Sequence, residues 1–182
     1  MSEVPRPGDD EVGIEPMTID HLDDVLRIDA LVYPRPWSAS LWRHELSQQF
    51  RRCYLVARLG PSVIGYAGMM LLVDEAHVAS VAVDPQHQGA GVATRLVAEL
   101  LARGVEAGYD DFTLEVRMSN ERAQALYRRF GFVPAGVRRN YYSDSNEDAM
   151  IMWMHEAGSA EIQARWAAQV ATPPRPRSEE PA

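Results

Sequence analysis

A glycine-containing segment at the junction of a strand pattern and a helix pattern constrains this chain more than any other feature. The segment Gln88–Ala93 reads QGAGVA; it follows alternating apolar residues at His77–Asp84 and opens an amphipathic pattern at Val92–Gly108. Glycines at such a junction let backbone N–H groups approach an anion with no Cβ in the way. The first turn of a helix adds unpaired N–H groups and the positive end of the helix dipole. The sequence therefore predicts a cradle for a diphosphate between a strand and a helix.

Length, charge and cysteine content limit the class of protein. A chain of 182 residues is expected to form one domain with a buried core. Its net charge of −8 argues against direct binding of nucleic acid through phosphate contacts. The apolar runs are too short to span a bilayer and the N-terminus lacks a signal-peptide pattern, so we expect a cytoplasmic protein without membrane contacts. The single cysteine, Cys53, excludes an internal disulfide, and the five histidines lack zinc-ligand spacing, so no metal site is predicted.

The chain is predicted to fold at residues 12–156, between a disordered tail at 1–11 and a disordered, proline-rich tail at 172–182, with a further helix at 157–171. Alternating apolar patterns predict strands at Val12–Met17, Arg52–Leu59, Ser62–Val73, Glu75–Val83, Asp111–Arg117, Phe132–Arg139 and Ala149–His155. Helices are predicted after the capping residues Thr18, Ser38 and Asn120 and at Val92–Gly108. Strands and helices around a strand–helix–strand crossover indicate an α/β (α+β) domain on one sheet.

Two known phosphate-binding loops fit the segment poorly. A Walker A loop needs a lysine followed by Ser or Thr, and this chain contains no lysine. A Rossmann loop needs a third small residue three positions on and an acidic residue after the next strand, and it usually opens its domain, whereas this segment lies at mid-chain. A different diphosphate ligand is therefore indicated.

A third alternative fits better. The spacing Gln88-x-x-Gly91-x-Ala93, after the strand that ends at Pro85, resembles motif A of the GNAT superfamily of acyl-CoA-dependent N-acyltransferases. A second set of residues resembles motif B of the same superfamily; it comprises Thr113–Val116, Asn120, Ala125–Tyr127 and Phe130–Phe132. The resemblance covers Val12–Met154 and implies the GNAT fold, which has one central, mixed, mostly antiparallel sheet flanked by helices.

Further residues look like the RimI branch of that superfamily, which acetylates the N-terminal alanine of a small-subunit ribosomal protein. They are Pro36–Ser38, Asp74–Ala76, Leu114–Arg117, Ser119–Asn120, Arg138–Tyr142 and Glu147–Ala149. The loop departs from the branch at Ala90 and Ala93, where arginine and glycine are common. The resemblance implies acetyl-CoA as co-substrate, no metal, and a protein or peptide N-terminus, that of a ribosomal protein, as partner.

The superfamily's functional residues map onto this chain through the two motifs. The resemblance implies Glu115 as the base that deprotonates the amine and Tyr127 as the acid that protonates the leaving thiolate. It implies cofactor contacts at Val81, Ala82, Val83, Gln88, Gly89, Ala90, Gly91, Val92, Ala93, Thr94 and Asn120. These catalytic residue types suit the reaction, because a free α-amino group has a pKa of roughly 8 and needs only a modest base at neutral pH. Position alone leaves two alternatives: an ion pair between Glu115 and Arg117 on one strand face, and Tyr127 as a core residue.

Contacts with the acceptor substrate are assigned more weakly, to Trp37, Tyr141 and Tyr142. The two tyrosines belong to a predicted loop at 141–147 that is also acidic, through Asp144, Glu147 and the adjacent Asp148. This loop either receives a basic peptide N-terminus or is an ordinary polar hairpin. For the whole chain, the alternatives are acetylation of a lysine, a polyamine or another small amine, and a non-catalytic acyl-CoA sensor; the sequence leaves the oligomeric state open.

Overall fold

The structure is a computed structural model that describes residues 11–172. The two predicted tails therefore lie, apart from Glu11 and Thr172, outside the described residues. The helices and strands follow one another as β1 Val12–Pro16, α1 Leu22–Val32, α2 Ala39–Ser47, β2 Arg52–Leu59, β3 Ser62–Leu71, β4 Ala76–Val83, α3 Val92–Glu106, β5 Phe112–Arg117, α4 Glu121–Phe130, β6 Val133–Tyr142, β7 Glu147–Met154 and α5 Ala160–Ala171.

The strands of the described region form one seven-stranded sheet in the order β1-β2-β3-β4-β5-β7-β6. Neighbouring strands are antiparallel except β4 and β5, which are parallel and are connected through α3. The predicted fold class, a mixed and mostly antiparallel sheet flanked by helices, is confirmed.

The parallel pair β4–β5 separates soon after it begins. Its pairing covers only Ala76–Val78 against Phe112–Leu114, although both strands continue beyond these residues. On the other side of β4, the register with β3 shifts so that Ala79 has no partner, which is the pattern of a β-bulge. The remainder of β4 therefore diverges from β5 and leaves a gap in the middle of the sheet.

Two hydrophobic cores cover the two faces of the sheet. The larger core packs one face against α3, α4 and α5, and the smaller core packs the other face against α1 and α2. Trp166 anchors α5 in the larger core, because it is only 4% exposed and its indole N–H donates to the carbonyl of Phe130 at 2.8 Å. The α1–α2 layer packs mainly against strands β2 to β4, and the smaller core that it forms includes no residue of β5.

Local sequence signals account for most helix ends. The side chains of Ser38, Asn120 and Ser159 each accept a hydrogen bond from the backbone N–H three residues later, and so begin α2, α4 and α5. The predicted helix after Thr18 differs, because its first turn, Ile19–His21, is a 3₁₀ turn held by a capping box between Thr18 and His21.

The last two strands are longer than the sequence suggested, and the predicted loop at 141–147 is wrong. β6 continues to Tyr142 and β7 begins at Glu147, so Tyr141 and Tyr142 lie in a strand and only residues 143–146 form the turn. The register shifts between Arg138 and Tyr142, and Asn140 has a positive φ of 51°. This irregularity breaks the two-residue alternation, and it explains why the pattern appeared to end at Arg139.

Candidate active site

The gap between β4 and β5 opens onto the predicted diphosphate cradle. Gly89 and Gly91 have φ values of 83° and 79°, a left-handed conformation that suits glycine. Gly91 is the N-cap of α3 and has no side chain to cap it, so the first turn keeps free backbone donors. An extended ligand that follows the unpaired edge of β4 reaches these donors at the end of the strand.

An ion pair between half-exposed Arg27 and buried Asp84 fixes the start of this loop. Nη1 of Arg27 in α1 lies 2.5 Å from Oδ2 of Asp84, whose other oxygen accepts the N–H of Gln86 at 2.9 Å. The Arg27 guanidinium lowers the pKa of the Asp84 carboxyl, so the pair stays charged at neutral pH. Gln88 adds a hydrogen bond from Nε2 to the carbonyl of Val83 at 3.3 Å.

The structure places the predicted cofactor residues in two groups. The side chains of Ala82, Val83 and Val92 are buried in the cores, so only their backbone can face a ligand. The exposed residues are Gln88, Gly89 and Ala90, with Val81, Gly91, Ala93 and Thr94 partly buried. Asn120 lies at the start of α4, and its Oδ1 is engaged by the N–H of Ala123.

Glu115 lies on β5, on the open face of the sheet beside the gap. Its side chain is 6% exposed; Oε2 lies 2.7 Å from Nε2 of His77 on β4, and Oε1 lies 3.2 Å from Nε of Arg138 on β6. The contact with His77 is the largest cause that lowers the pKa of Glu115, with Arg138 adding to it and burial opposing it. Glu115 is therefore a carboxylate at neutral pH, held by groups from the two flanking sides.

The alternative of a Glu115–Arg117 ion pair is wrong. Arg117 instead contacts the β6–β7 turn, through Asp144 at 2.9 Å and Glu147 at 3.2 Å, and its guanidinium lies 3.9 Å from the ring centroid of Tyr142. Residues two apart on a strand share a face, but partners on neighbouring strands lie closer, so Arg117 forms its ion pairs with them.

The same contacts change the character of the predicted aromatic and acidic loop. Arg117 forms ion pairs with Asp144 and Glu147, and Asp148 accepts the N–H of Asn140 at 2.8 Å. These carboxylates therefore shape the turn rather than present a free acidic patch. Burial is the main cause that raises the pKa of the Tyr141 and Tyr142 hydroxyls, and the Glu115 charge adds to the effect on both.

Tyr127 packs in the larger core, as one of the two alternatives held, and its role as an acid stays a prediction. It is 8% exposed and its ring lies 5.8 Å from that of Phe132 in an edge contact. Burial is the main cause that raises its pKa, and the neighbouring hydroxyls of Tyr33 and Tyr142 add to this effect. Tyr127 is therefore a protonated donor at neutral pH.

His77, Arg138 and Tyr33 are absent from the residues predicted from sequence. His77 meets Glu115 because β4 pairs with β5, and Arg138 reaches Glu115 from β6, which lies one strand beyond β7 in the sheet order. Tyr33 reaches β4 from the end of α1. No local motif carries these contacts; strand pairing would have been needed to find them. Trp37, predicted as a weak substrate contact, packs on Trp42 at 4.9 Å and lines a cavity of about 130 Å³ with Tyr33.

The arrangement can bind a diphosphate-bearing extended ligand and can move protons beside it. The Glu115 carboxylate lies on β5 beside the gap, and the Tyr127 phenol on α4 stays protonated. Groups of these two types can remove a proton from a nucleophile and supply one to a leaving group. Within residues 11–172, no cluster of three metal-ligating side chains is found. None of the helices in this region is long and apolar enough to cross a bilayer.

Comparison with known proteins gives a family match. The model described as "Acetyltransferase (GNAT) family" matches residues 22–132. The N-alpha-acetyltransferase RimI of Mycobacterium tuberculosis is 41% identical over 123 residues, which cover 64% of this chain and 74% of that protein. The ribosomal protein bS18-alanine N-acetyltransferase of Escherichia coli is 33% identical over 127 residues, 69% of this chain and 84% of that protein.

A solved structure supports the same likeness. The crystal structure of the ribosomal-protein-S18-alanine N-acetyltransferase from Escherichia coli superposes with a TM-score of 0.74 at 29% identity. The superposition covers 83% of this chain and 97% of that one.

Proposed function

Because this chain belongs to the GNAT acetyltransferase family, we propose that it transfers the acetyl group of acetyl-CoA to the N-terminal α-amine of a protein. The proposed acceptor is the N-terminal alanine of a small-subunit ribosomal protein. The names of the Escherichia coli relative and of the superposed crystal structure support this acceptor, and this chain covers 84% and 97% of their lengths. The name of the Mycobacterium tuberculosis relative supports transfer to an α-amine. One observation carries the proposal: a proton-accepting carboxylate lies beside a sheet gap that ends at a glycine-lined helix N-terminus.

The chain's residues fit acetyl-CoA as co-substrate. The unpaired edge of β4 after Val78 offers backbone groups to the pantetheine arm, and the loop from Gly89 to Thr94 offers N–H groups to the pyrophosphate. Asn120, the N-cap of α4, is the proposed cofactor contact at the start of that helix. In this proposal, a backbone N–H near Val81 polarises the thioester carbonyl.

Glu115 serves as the general base in this proposal. On the order of a tenth of an α-amine with a pKa of roughly 8 is neutral at pH 7, compared with a few parts in ten thousand for a lysine. A carboxylate whose pKa is lowered is a weak base, so it suits the α-amine much better than a lysine side chain. Glu115 removes the proton directly or through one water as the amine attacks the thioester.

Tyr127 serves as the donor to the departing sulfur. Its raised pKa keeps the hydroxyl protonated, so it can donate a hydrogen bond as negative charge develops on the sulfur. A thiol has an ordinary pKa of about 8.5, so complete transfer from so weak an acid is uphill. The hydroxyl therefore acts mainly by stabilising the thiolate through hydrogen bonding.

Mass spectrometry of two peptides tests the substrate class. Both peptides contain one internal lysine; one begins with free alanine and the other has a blocked N-terminus. We expect one acetyl group on the free peptide and none on its twin. The chain itself contains no lysine, so acetylation of its own side-chain amines does not complicate the spectrum. Modification of the blocked twin would instead assign a lysine acceptor.

Two isosteric variants test the catalytic roles. Glu115→Gln and Tyr127→Phe should each lower kcat by about 10²- to 10⁴-fold, the usual contribution of acid–base groups. Binding of CoA should persist in both, because neither side chain lies in the glycine loop. Unchanged turnover in both variants would refute the roles, and CoA binding without any acetyl transfer in the native protein would favour a sensor.

A further inference from the structure

A chain of hydrogen bonds runs from the buried interior of the smaller core to the catalytic gap. It begins at Asp29 on α1, which is 1% exposed and accepts the Trp42 indole N–H at 2.8 Å. The hydroxyl of Tyr66 donates to the other carboxylate oxygen. Oγ of Ser80 donates to the Tyr66 hydroxyl at 3.3 Å, and the hydroxyl of Tyr33 lies 3.1 Å from Ser80.

The hydroxyl groups in this series of hydrogen bonds can donate in only one direction, towards Asp29. Burial raises the pKa of Tyr66, so its single proton stays in place and is given to Asp29. Ser80 has one hydroxyl proton and donates it to Tyr66, so it can only accept from Tyr33. The Tyr33 proton is therefore committed to Ser80 or to the Val81 carbonyl at 3.4 Å. The Tyr33 oxygen remains as an acceptor.

That oxygen lies beside the part of β4 that diverges from β5, because the Tyr33 hydroxyl is 3.4 Å from the carbonyl of Val81, beyond the last paired residue Val78. The Tyr33 hydroxyl also adds to the raised pKa of Tyr127, after the larger effect of burial. Tyr33 and Ser80 also line the cavity of about 130 Å³ next to the bulge at Ala79. A group entering between α1 and β4 therefore meets an oxygen that offers lone pairs and no proton.

We propose that Tyr33 accepts a hydrogen bond from the α-amino group of the acceptor substrate, and that buried Asp29 fixes the direction of this bond through Tyr66 and Ser80. This inference rests on the proposed N-terminal acetyl transfer and adds a substrate-positioning group to it. An amine N–H held by Tyr33 leaves the nitrogen lone pair free to face the thioester. A chain that begins at a carboxylate also increases the electron density on its last oxygen, which favours a positively polarised N–H.

Paired peptides isolate the amine contact without relying on turnover. One peptide begins with free alanine, and its des-amino twin carries a propanoyl group in place of that alanine. Calorimetric dissociation constants are measured for both with the full chain in the presence of CoA. The native protein should prefer the free amine by about tenfold or more, the value of one hydrogen bond to a charged group. Tyr33→Phe should reduce this preference towards one.

Tyr109→Phe is the matched control. It also removes one phenolic hydroxyl, but that hydroxyl bonds the carbonyl of Leu72 at 2.7 Å, away from the gap. We expect it to keep the preference for the free amine. A structural loss unrelated to the amine would weaken both peptides equally and leave their ratio unchanged, which separates the two explanations.

Asp29→Asn tests the direction of the chain. Trp42 can only donate, so the new amide must turn its oxygen to Trp42 and its NH₂ to Tyr66. The donors then reverse, Ser80 donates to Tyr33, and the Tyr33 proton is free to face the amine. We expect Asp29→Asn to lose at least as much preference as Tyr33→Phe, with no further loss in the double variant.

Ser80→Ala provides a second test if the Asp29→Asn variant does not fold, since it interrupts the series of hydrogen bonds next to Tyr33. It should lose part of the preference. The inference is overturned if Tyr33→Phe keeps the native ratio, or if the losses of Tyr33→Phe and Asp29→Asn simply add. If the free peptide neither binds nor becomes acetylated in the native protein, the proposed function fails and this inference fails with it.

Discussion

Replacing His77 by leucine should destabilise the protein by an amount that depends on pH. In the native protein, the imidazole Nε2 lies 2.7 Å from a carboxylate oxygen of Glu115, whose side chain is 6% exposed. A hydrogen bond to a charged group contributes about 1.5–3 kcal/mol. Arg138 remains in the variant, but its side chain is 56% exposed and solvent screens most of its charge. We therefore expect a loss of about 1.5–3 kcal/mol near pH 7.

The pH dependence follows from the direction of the Glu115 pKa shift. Folding lowers this pKa, mainly through the His77 contact. Its stabilising contribution is therefore full above the ordinary glutamate pKa of about 4.3, and is lost as pH falls through the folded value. The stability difference between the native protein and the leucine variant should shrink in that acidic range.

Urea denaturation at pH 7 and at the acidic end measures this difference. Carboxyl carbon-13 NMR follows Glu115 directly, with its signal identified by its absence in Glu115→Gln, and should report a higher pKa in the leucine variant. His77→Gln is the matched control, because its amide keeps a neutral donor and should lose less stability. An equal loss at both pH values, or an unchanged Glu115 titration, would refute the reasoning.

Two further predictions concern packing and the substrate side of the site. Gly104→Ala should destabilise the protein by about 1–3 kcal/mol, since its Cβ would lie 2.5 Å from the buried Phe112 ring. Gly13→Ala is the control, because its Cβ would meet nothing within 4 Å, and urea denaturation should show almost no change in stability. Arg117→Gln should raise the KM for the peptide several-fold with little effect on acetyl-CoA binding, because Arg117 holds the β6–β7 turn. Steady-state kinetics measures both KM values, and a rise in the KM for acetyl-CoA alone would contradict this prediction.

Elements with strong local signals were predictable from the sequence. The bounds of β2 agree with the prediction, and Ser38 and Asn120 cap α2 and α4 as expected, because a cap depends on residues within one turn. The loop at 141–147 was predicted incorrectly. Its true end depends on the irregular register between β6 and β7, and the pattern of one strand does not contain that information.

The residues of the candidate site also differ in whether a local sequence signal could identify them. The motifs marked Glu115, Tyr127 and the glycine loop, and their catalytic and binding roles stay predictions. Sequence spacing suggested Arg117 as the partner of Glu115, whereas the sheet order places His77 and Arg138 there. The glycine-containing loop, the helix caps and the family could be predicted from short stretches of sequence, since each depends on residues close together in the chain. The charged groups around Glu115 and the hydrogen bonds between Asp29 and Tyr33 became apparent only from the fold, because those contacts join residues from separate strands and helices.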